Sequence, residues 1–284
     1  LKKLLLAIAL LFTSVARADW VHWEDPNLMY RSDCHEPTSI VVVYHGANVG
    51  PDITEPEELG EGLMLVIDDL LSYCSLVIIP TADRHELRGH GSYQVWDFSD
   101  DFTQGMDAAE QQRIIQLAQE YWPGRPTYLL GGSAGAFMSY KLANDRRILG
   151  LPLDGLVMLD GASPYGVSAD AYHARYADTD WDYRFTSLGL DYYTTRTRHM
   201  NLGFTTFRNE WDLDTLIVNS YFDQIVLSRL KREFAALLGL KASQLQVNWK
   251  GTHHDIGPEG IAVVRNWFMN RLSKGPIVHY ATTF

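Results

Sequence analysis

Three side chains far apart in the chain have the types needed for acyl transfer: Ser133, Asp223 and His254. A serine hydroxyl is a poor nucleophile at neutral pH, so it needs an imidazole to take its proton and return it to the leaving group. The imidazole needs a carboxylate to fix its tautomer and stabilise its charged form. Ser133 lies in Gly131-Gly132-Ser133-Ala134-Gly135, between a short apolar run, Thr127 to Leu130, and a helical stretch. That Gly-x-Ser-x-Gly spacing predicts a turn so sharp that the serine takes a strained backbone conformation. Large side chains two residues to either side would meet neighbouring backbone, and glycines stand there. The helix that follows directs its amino terminus at the same spot, so the Ala134 amide can stabilise an oxyanion.

The elements around these residues must bring them together. Ser39 to Tyr44 is a continuous β-branched run of the kind found in buried parallel strands, and it ends in His45-Gly46-Ala47. Glu57 to Tyr73 reads as an amphipathic helix, Cys74 to Pro80 as a strand, Asp107 to Tyr121 as a helix, and the helix after Ser133 runs to about Asp145. Leu153 to Leu159, Leu213 to Tyr221 and Leu245 to Trp249 read as further strands, Leu227 to Leu238 and Pro258 to Leu272 as helices. Residues 19–38 are irregular, with room for early edge strands, and Thr81 to Thr103 reads as a long loop. His85 and His90 in that loop have no second pair of ligands at suitable spacing, so they read as surface residues and no metal is expected. Strand and helix alternating at these lengths predict an α/β protein with a doubly wound, mostly parallel sheet. Such a sheet puts its strand carboxyl ends on one edge, where Ser133, Asp223 and His254 would converge.

The chain order Ser133, Asp223, His254, each after a predicted strand, resembles that of the α/β-hydrolase superfamily. The resemblance implies Ser133 as nucleophile, Asp223 as acid and His254 as base, with Asp160 the alternative acid and His253 the alternative base. It also implies that the His45-Gly46 loop supplies the second oxyanion amide, at Ala47, beside Ala134. Within the superfamily, Gly-Gly-Ser-Ala-Gly-Ala-Phe-Met, the His45-Gly46 pair and Trp96 resemble secreted esterases related to polyhydroxybutyrate depolymerases and feruloyl esterases. Ala47 stands where those enzymes usually carry a cysteine. The implied substrate is a small-molecule or polymer-derived ester, and the reaction needs no cofactor.

Residues 161–211 break the strand-helix rhythm, with eleven aromatic residues and five arginines. They fall after the sixth strand, where α/β-hydrolases often carry a lid. Aromatic side chains there can line a pocket for an acyl, aryl or sugar group, or form the insert's own small core. Trp96 and Trp181 are the side chains expected to meet substrate.

With 284 residues, 46% apolar and 21% charged, the chain has the composition of a globular protein large enough for one generous domain, expected over residues 19–284. Residues 1–18 have a basic start, an apolar run from Leu4 to Phe12 and a small-residue close at Ala18. That pattern reads as a secretory signal peptide, because nine apolar residues are too few for a stable membrane span. Its removal takes away Lys2, Lys3 and Arg17, so a net charge of −11 becomes −14. Such an acidic chain is a poor nucleic-acid binder. Export to the periplasm or the extracellular space leaves Cys34 and Cys74 either as a disulfide or as two buried thiols. Three readings follow: an exported serine esterase, a peptidase or amidase with the same triad, and a non-catalytic binding protein on a hydrolase fold.

Overall fold

A computed structural model describes residues 19–24, 27–46, 55–82, 84–87, 91–94, 96, 107–161, 211–223, 228–252 and 255–272. Among them, eight strands form one sheet: β1 (Val21–Glu24), β2 (Asn27–Arg31), β3 (Ser39–Tyr44), β4 (Ser75–Pro80), β7 (Thr127–Gly132), β8 (Gly155–Leu159), β9 (Asp214–Ser220) and β10 (Leu245–Asn248). Their spatial order is β1-β2-β4-β3-β7-β8-β9-β10. The β1-β2 hairpin is antiparallel, and β2 joins β4 antiparallel. From β4 to β10 every pairing is parallel. This is the doubly wound sheet of the α/β-hydrolase fold.

Alternation along the strands divides the core between two faces. Val41, Val43, Val77 and Ile79 point to one side, against Ile67 and Leu70 of α1 (Glu61–Ser72) and Val264 and Phe268 of α5 (Gly257–Leu272). Ile40, Val42, Tyr44 and Ile78 point to the other. There they meet Ile115 of α2 (Asp107–Tyr121), Met138 of α3 (Ala134–Leu149) and Phe234 of α4 (Ser228–Leu237). β3 and β4 are buried on both faces along their full length, so they read as near-continuous apolar runs, and the hydroxyls of their first residues, Ser39 and Ser75, bond each other at 2.8 Å. Burying each such Val, Leu or Ile side chain contributes about 1.5–3 kcal/mol.

Two expectations need correction. The helix expected from Glu57 is divided: Pro56–Leu59 form a 3-10 turn and α1 begins only at Glu61. Gly60, at φ 93°, lies between them in a conformation that breaks a helix, and periodicity alone does not register it. Thr81 to Thr103 is not all loop, because β5 (Arg84–Leu87) and β6 (Gly91–Gln94) pair antiparallel as a separate ribbon. Four-residue strands are too short to give a pattern that can be told from a polar loop. The α2 helix has the expected bounds.

Cys34 and Cys74 are joined by a disulfide with Cα atoms 5.3 Å apart. It ties the segment entering β3 to the entrance of β4, across 40 positions of chain. In the loop-entropy account, a crosslink of that span stabilises by up to about 4 kcal/mol. Residues 162–210, including Trp181 and nearly all of the expected insert, lie outside the described residues, as do residues 1–18. Downstream of the insert the chain resumes at Trp211, whose ring stacks on Tyr140 at 5.7 Å and under the Arg146 guanidinium at 5.1 Å. Among the described residues no helix is long and apolar enough to cross a membrane.

Candidate active site

Ser133 sits between β7 and α3 at φ 49°, ψ −117°, a conformation that costs an L-residue about 1–3 kcal/mol and persists only where the surroundings enforce it. The enforcement comes from the two glycines. A Cβ on Gly131 would lie 2.3 Å from the Gly135 carbonyl oxygen, and one on Gly135 would lie 2.2 Å from that of Tyr44. The elbow is therefore pressed against the end of β3, and no larger residue fits at either position. Ser133 N–H donates to the Leu159 carbonyl at 2.8 Å, which anchors the turn to β8. The serine side chain makes no capping bond to α3. Since α3 starts at Ala134, that residue's amide is among the four at the helix start without an intrahelical acceptor.

The loop after β3 closes one side. A Cβ placed on Gly46 would come within 3.4 Å of Ser133 Cβ and 3.9 Å of its Oγ. His45 holds this loop. Its Nε2 accepts the Ala82 N–H at 3.0 Å, so the proton is on Nδ1, which donates to the Gly46 carbonyl at 2.6 Å. Burial pushes the imidazole down to about 4, against a smaller opposing effect of the Gly46 bond. Both ring nitrogens are committed and the ring is neutral, so His45 is a strut and not a base. Trp96, expected to contact substrate, has no exposed surface. Its indole N–H donates to the His45 carbonyl at 2.7 Å, and its ring packs edge-on to Tyr44 at 5.3 Å. It lies beneath the loop and supports it. Ala47, the expected second oxyanion donor, is outside the described residues.

The opposite side is ionic. Asp223, just beyond β9, is buried, and its Oδ2 accepts from Lys231 Nζ at 2.5 Å. The same ammonium donates to Asp160 Oδ1 at 2.6 Å, and Lys231 itself has no exposed surface. Asp160, at the end of β8 with φ 51°, also accepts from the Ser220 amide at 2.7 Å and the Ser220 hydroxyl at 2.5 Å. The segment carrying Asp223 is tied to the one after β10: Tyr221 N–H donates to the Asn248 carbonyl at 2.8 Å, and Phe222 N–H to that of Gly251 at 3.1 Å. Thr252 and Asp255 exchange backbone bonds of 2.9 and 3.2 Å, which closes a four-residue turn. Its two middle positions are His253 and His254, both outside the described residues. Sheet topology thus brings Ser133, Asp160, Asp223 and the Thr252–Asp255 bridge to one edge.

Lys231 was not legible as part of this site. In sequence it is one cation on an amphipathic helix, where the ordinary reading is a solvated face, and no pattern marks it as buried. A cavity of about 840 Å³ is lined by Gly46, Ser133 and Asp160 from the strand ends, by Leu59 and Ile256 from the segments leading into α1 and α5, and by Ile261 of α5. Glu58, Glu61 and Asp255 border it as well. Its wall is mixed, with apolar side chains beside carboxylates and Arg265.

No family model matches the sequence, and no curated protein matches it significantly. Solved structures do resemble the fold. TT1662 from Thermus thermophilus matches with a TM-score of 0.57 at 16% identity, over 89% of this chain and 97% of its own. Est1E from Butyrivibrio proteoclasticus, solved with ferulic acid bound, matches with a TM-score of 0.55 at 15% identity, over 90% of this chain and 100% of its own. MGS-MChE2, an alpha/beta hydrolase enzyme from the metagenome of lagoon sediments at Mar Chica, Morocco, gives 0.54 at 15%, over 89% and 99%. At these identities the likeness is one of fold. The chain has the α/β-hydrolase fold.

Proposed function

We propose that this protein is an exported serine hydrolase that cleaves carboxylic esters by acyl transfer through Ser133. The observation that carries the reading is the Ser133 backbone, held at φ 49° by glycines that have no room for a side chain. A fold has no structural need to keep a serine in that state at the head of a helix, whereas a nucleophile that must stand clear of the sheet does. His254 is the base and Asp223 the acid that orients it. Attack by Oγ on the ester carbonyl passes the serine proton to His254. The tetrahedral oxyanion is held by the amides of Ala134 and Ala47, each such donor contributing about 3–4 kcal/mol. Collapse expels the alcohol, which takes the proton from His254, and water activated by the same imidazole then releases the acid.

The substrate in this reading is a neutral ester of modest acyl size, consistent with the apolar stretch of the cavity and its bordering carboxylates. The likeness in fold to Est1E, solved with ferulic acid bound, supports an aryl ester as one class to test. Export is supported by the basic-apolar-small pattern of residues 1–18 and by the Cys34–Cys74 disulfide, which persists in oxidising compartments. The test is nitrophenol release from acetyl, butyryl and octanoyl nitrophenyl esters, with a nitroanilide beside them and fluorophosphonate labelling of Ser133. Ser133→Ala is expected to lower kcat by about 10⁴-fold or more. Turnover and labelling unchanged in Ser133→Ala would overturn the reading, and faster turnover of the anilide would move it to an amidase.

A further inference from the structure

Acyl transfer by a serine triad requires one carboxylate, yet the edge beside Ser133 buries two, Asp160 and Asp223, with a fully buried Lys231 between them. A buried ion pair is not in itself a source of stability, and hydrophobic residues of similar volume often serve as well. Its presence here therefore asks what the lysine does that an apolar side chain would not. Asp160 is required by the sheet: its carboxylate takes both the amide and the hydroxyl of Ser220, which holds the end of β8 to the end of β9. That places a fixed negative charge beside Asp223. Two carboxylates sharing a buried site cannot both stay ionised without a counter-charge, and one takes up a proton.

We propose that Lys231 is a positioning residue for the reaction: it balances Asp160 so that Asp223 remains a charged partner for the base. The inference rests on the esterase reading above and adds the residue that makes its acid available. Lys231 reaches the pair from α4, Asp160 from β8 and Asp223 from β9. The other titratable side chains lining the cavity that Asp160 borders are Tyr44, His45, Glu58, Glu61, Asp255 and Arg265. His45 is held neutral by burial, and its two hydrogen bonds fix the tautomer. Removing the ammonium leaves Asp160 and Asp223 to share a proton. A carboxyl that shares its proton stabilises the imidazolium of the transition state less well, while ground-state ester binding is untouched.

The experiment compares wild type, Lys231→Met and the double variant Lys231→Met/Asp160→Asn. An asparagine at 160 fits the site, because its carbonyl can accept from the Ser220 amide and its NH₂ can donate to the Ser220 hydroxyl. The double variant therefore removes one carboxylate with the lysine and leaves Asp223 alone. Each protein is checked for folding by circular dichroism, and the fraction of competent enzyme is set by fluorophosphonate titration. In Lys231→Met, kcat is expected to fall about 10²-fold with KM within about twofold, the low end of what a weakened acid-base relay loses. The double variant should recover at least tenfold of it, although it carries more changes. Infrared difference spectra at neutral pH should show a protonated buried carboxyl in Lys231→Met that is absent from the other two. If that band is absent, the charge account is wrong whatever the kinetics show. If the band is present but kcat is unchanged while Ser133→Ala is inactive, the lysine is structural only and the esterase reading stands. If wild type neither turns over esters nor labels at Ser133, the reading of the site fails, and the positioning role falls with it. Should Lys231→Met fail to fold, the double variant alone decides: folded but as inactive as Asp223→Asn, it would overturn the proposal.

Discussion

The two sides of the edge around Ser133 solve the same problem in opposite ways. On the β3 side, a histidine is buried and silenced: His45 is neutral, holds one tautomer, and gives both nitrogens to backbone partners. On the β8–β9 side, an ion-pair network is buried and kept: Asp160, Lys231 and Asp223 are enclosed, with Lys231 Nζ against both carboxylates. Desolvation acts against charge on both sides. Where the chain needs only a rigid loop it yields to that pressure, and where it needs a carboxylate it opposes it with a second ion. Burial of a titratable group therefore says little about its role until its partners are counted.

The largest effect should come from the charged side. Asp223→Asn keeps the shape of the side chain but removes the charge that the proposed triad uses to stabilise its imidazolium, and kcat for the nitrophenyl esters should drop by about 10⁴-fold. The corresponding change on the neutral side, His45→Gln, should lower kcat by no more than about tenfold, since it disturbs a loop and no reacting atom. Steady-state kinetics on the two variants would break the comparison if the losses came out equal. A second change tests whether the sides are joined through the elbow. Gly135→Ala puts a methyl group 2.2 Å from the Tyr44 carbonyl and 2.4 Å from that of His45. It should destabilise by about 3 kcal/mol or more, read as a fall in the urea midpoint, because the only atoms that can yield are backbone.

How much of this was open to sequence reasoning depended on whether the cause was local. The elbow was legible because its requirement, two glycines around a strained serine, is written within five residues. The β-branched runs of β3 and β4 and the bounds of α2 were legible because burial on two faces and helical periodicity leave dense patterns. The 3-10 turn before α1 was not, since one glycine at φ 93° overrode an amphipathic pattern that continued through it. Trp96 was assigned to substrate on its type and place, yet it lies under His45, a contact across 51 positions that nothing in either segment announces. Lys231 is the plainest case: its burial depends on Asp160, 71 positions upstream, and neither residue alone carries a sign of the other.

The neutral side also makes a prediction about pH. An imidazole held at about 4 when folded, against the usual value near 6.5, binds its proton less readily than in the unfolded chain. Between those values the unfolded state takes up a proton that the folded state refuses, so stability falls as pH drops from about 6.5 towards 4 and is fully present above that window. The His45 contribution amounts to about 3 kcal/mol. Because carboxylates titrate in part of the same range, the quantity to measure is the difference between wild type and His45→Gln in urea unfolding at pH 7 and pH 4.5. A difference that narrows by about 2 kcal/mol at pH 4.5, where the folded imidazole is itself partly protonated, fits a buried neutral imidazole. A constant difference would mean that folding leaves the affinity of His45 for its proton unchanged, and the contrast between the two sides would disappear.

The smallest effect concerns what lies beneath the loop. Trp96→Phe keeps an aromatic ring against Tyr44 but deletes the indole N–H that donates to the His45 carbonyl. A buried carbonyl left without its donor costs about 1–2 kcal/mol, and the smaller ring adds a little through lost packing. The loss should appear in urea unfolding, with kcat for the acetyl ester within about threefold of wild type and KM nearly unchanged. That result would place Trp96 with His45, as part of what holds the loop against Ser133. A KM raised tenfold or more for aryl esters with stability unchanged would instead return Trp96 to the substrate-contact role expected from its sequence, and would require the loop to open enough to expose a ring that has no exposed surface here.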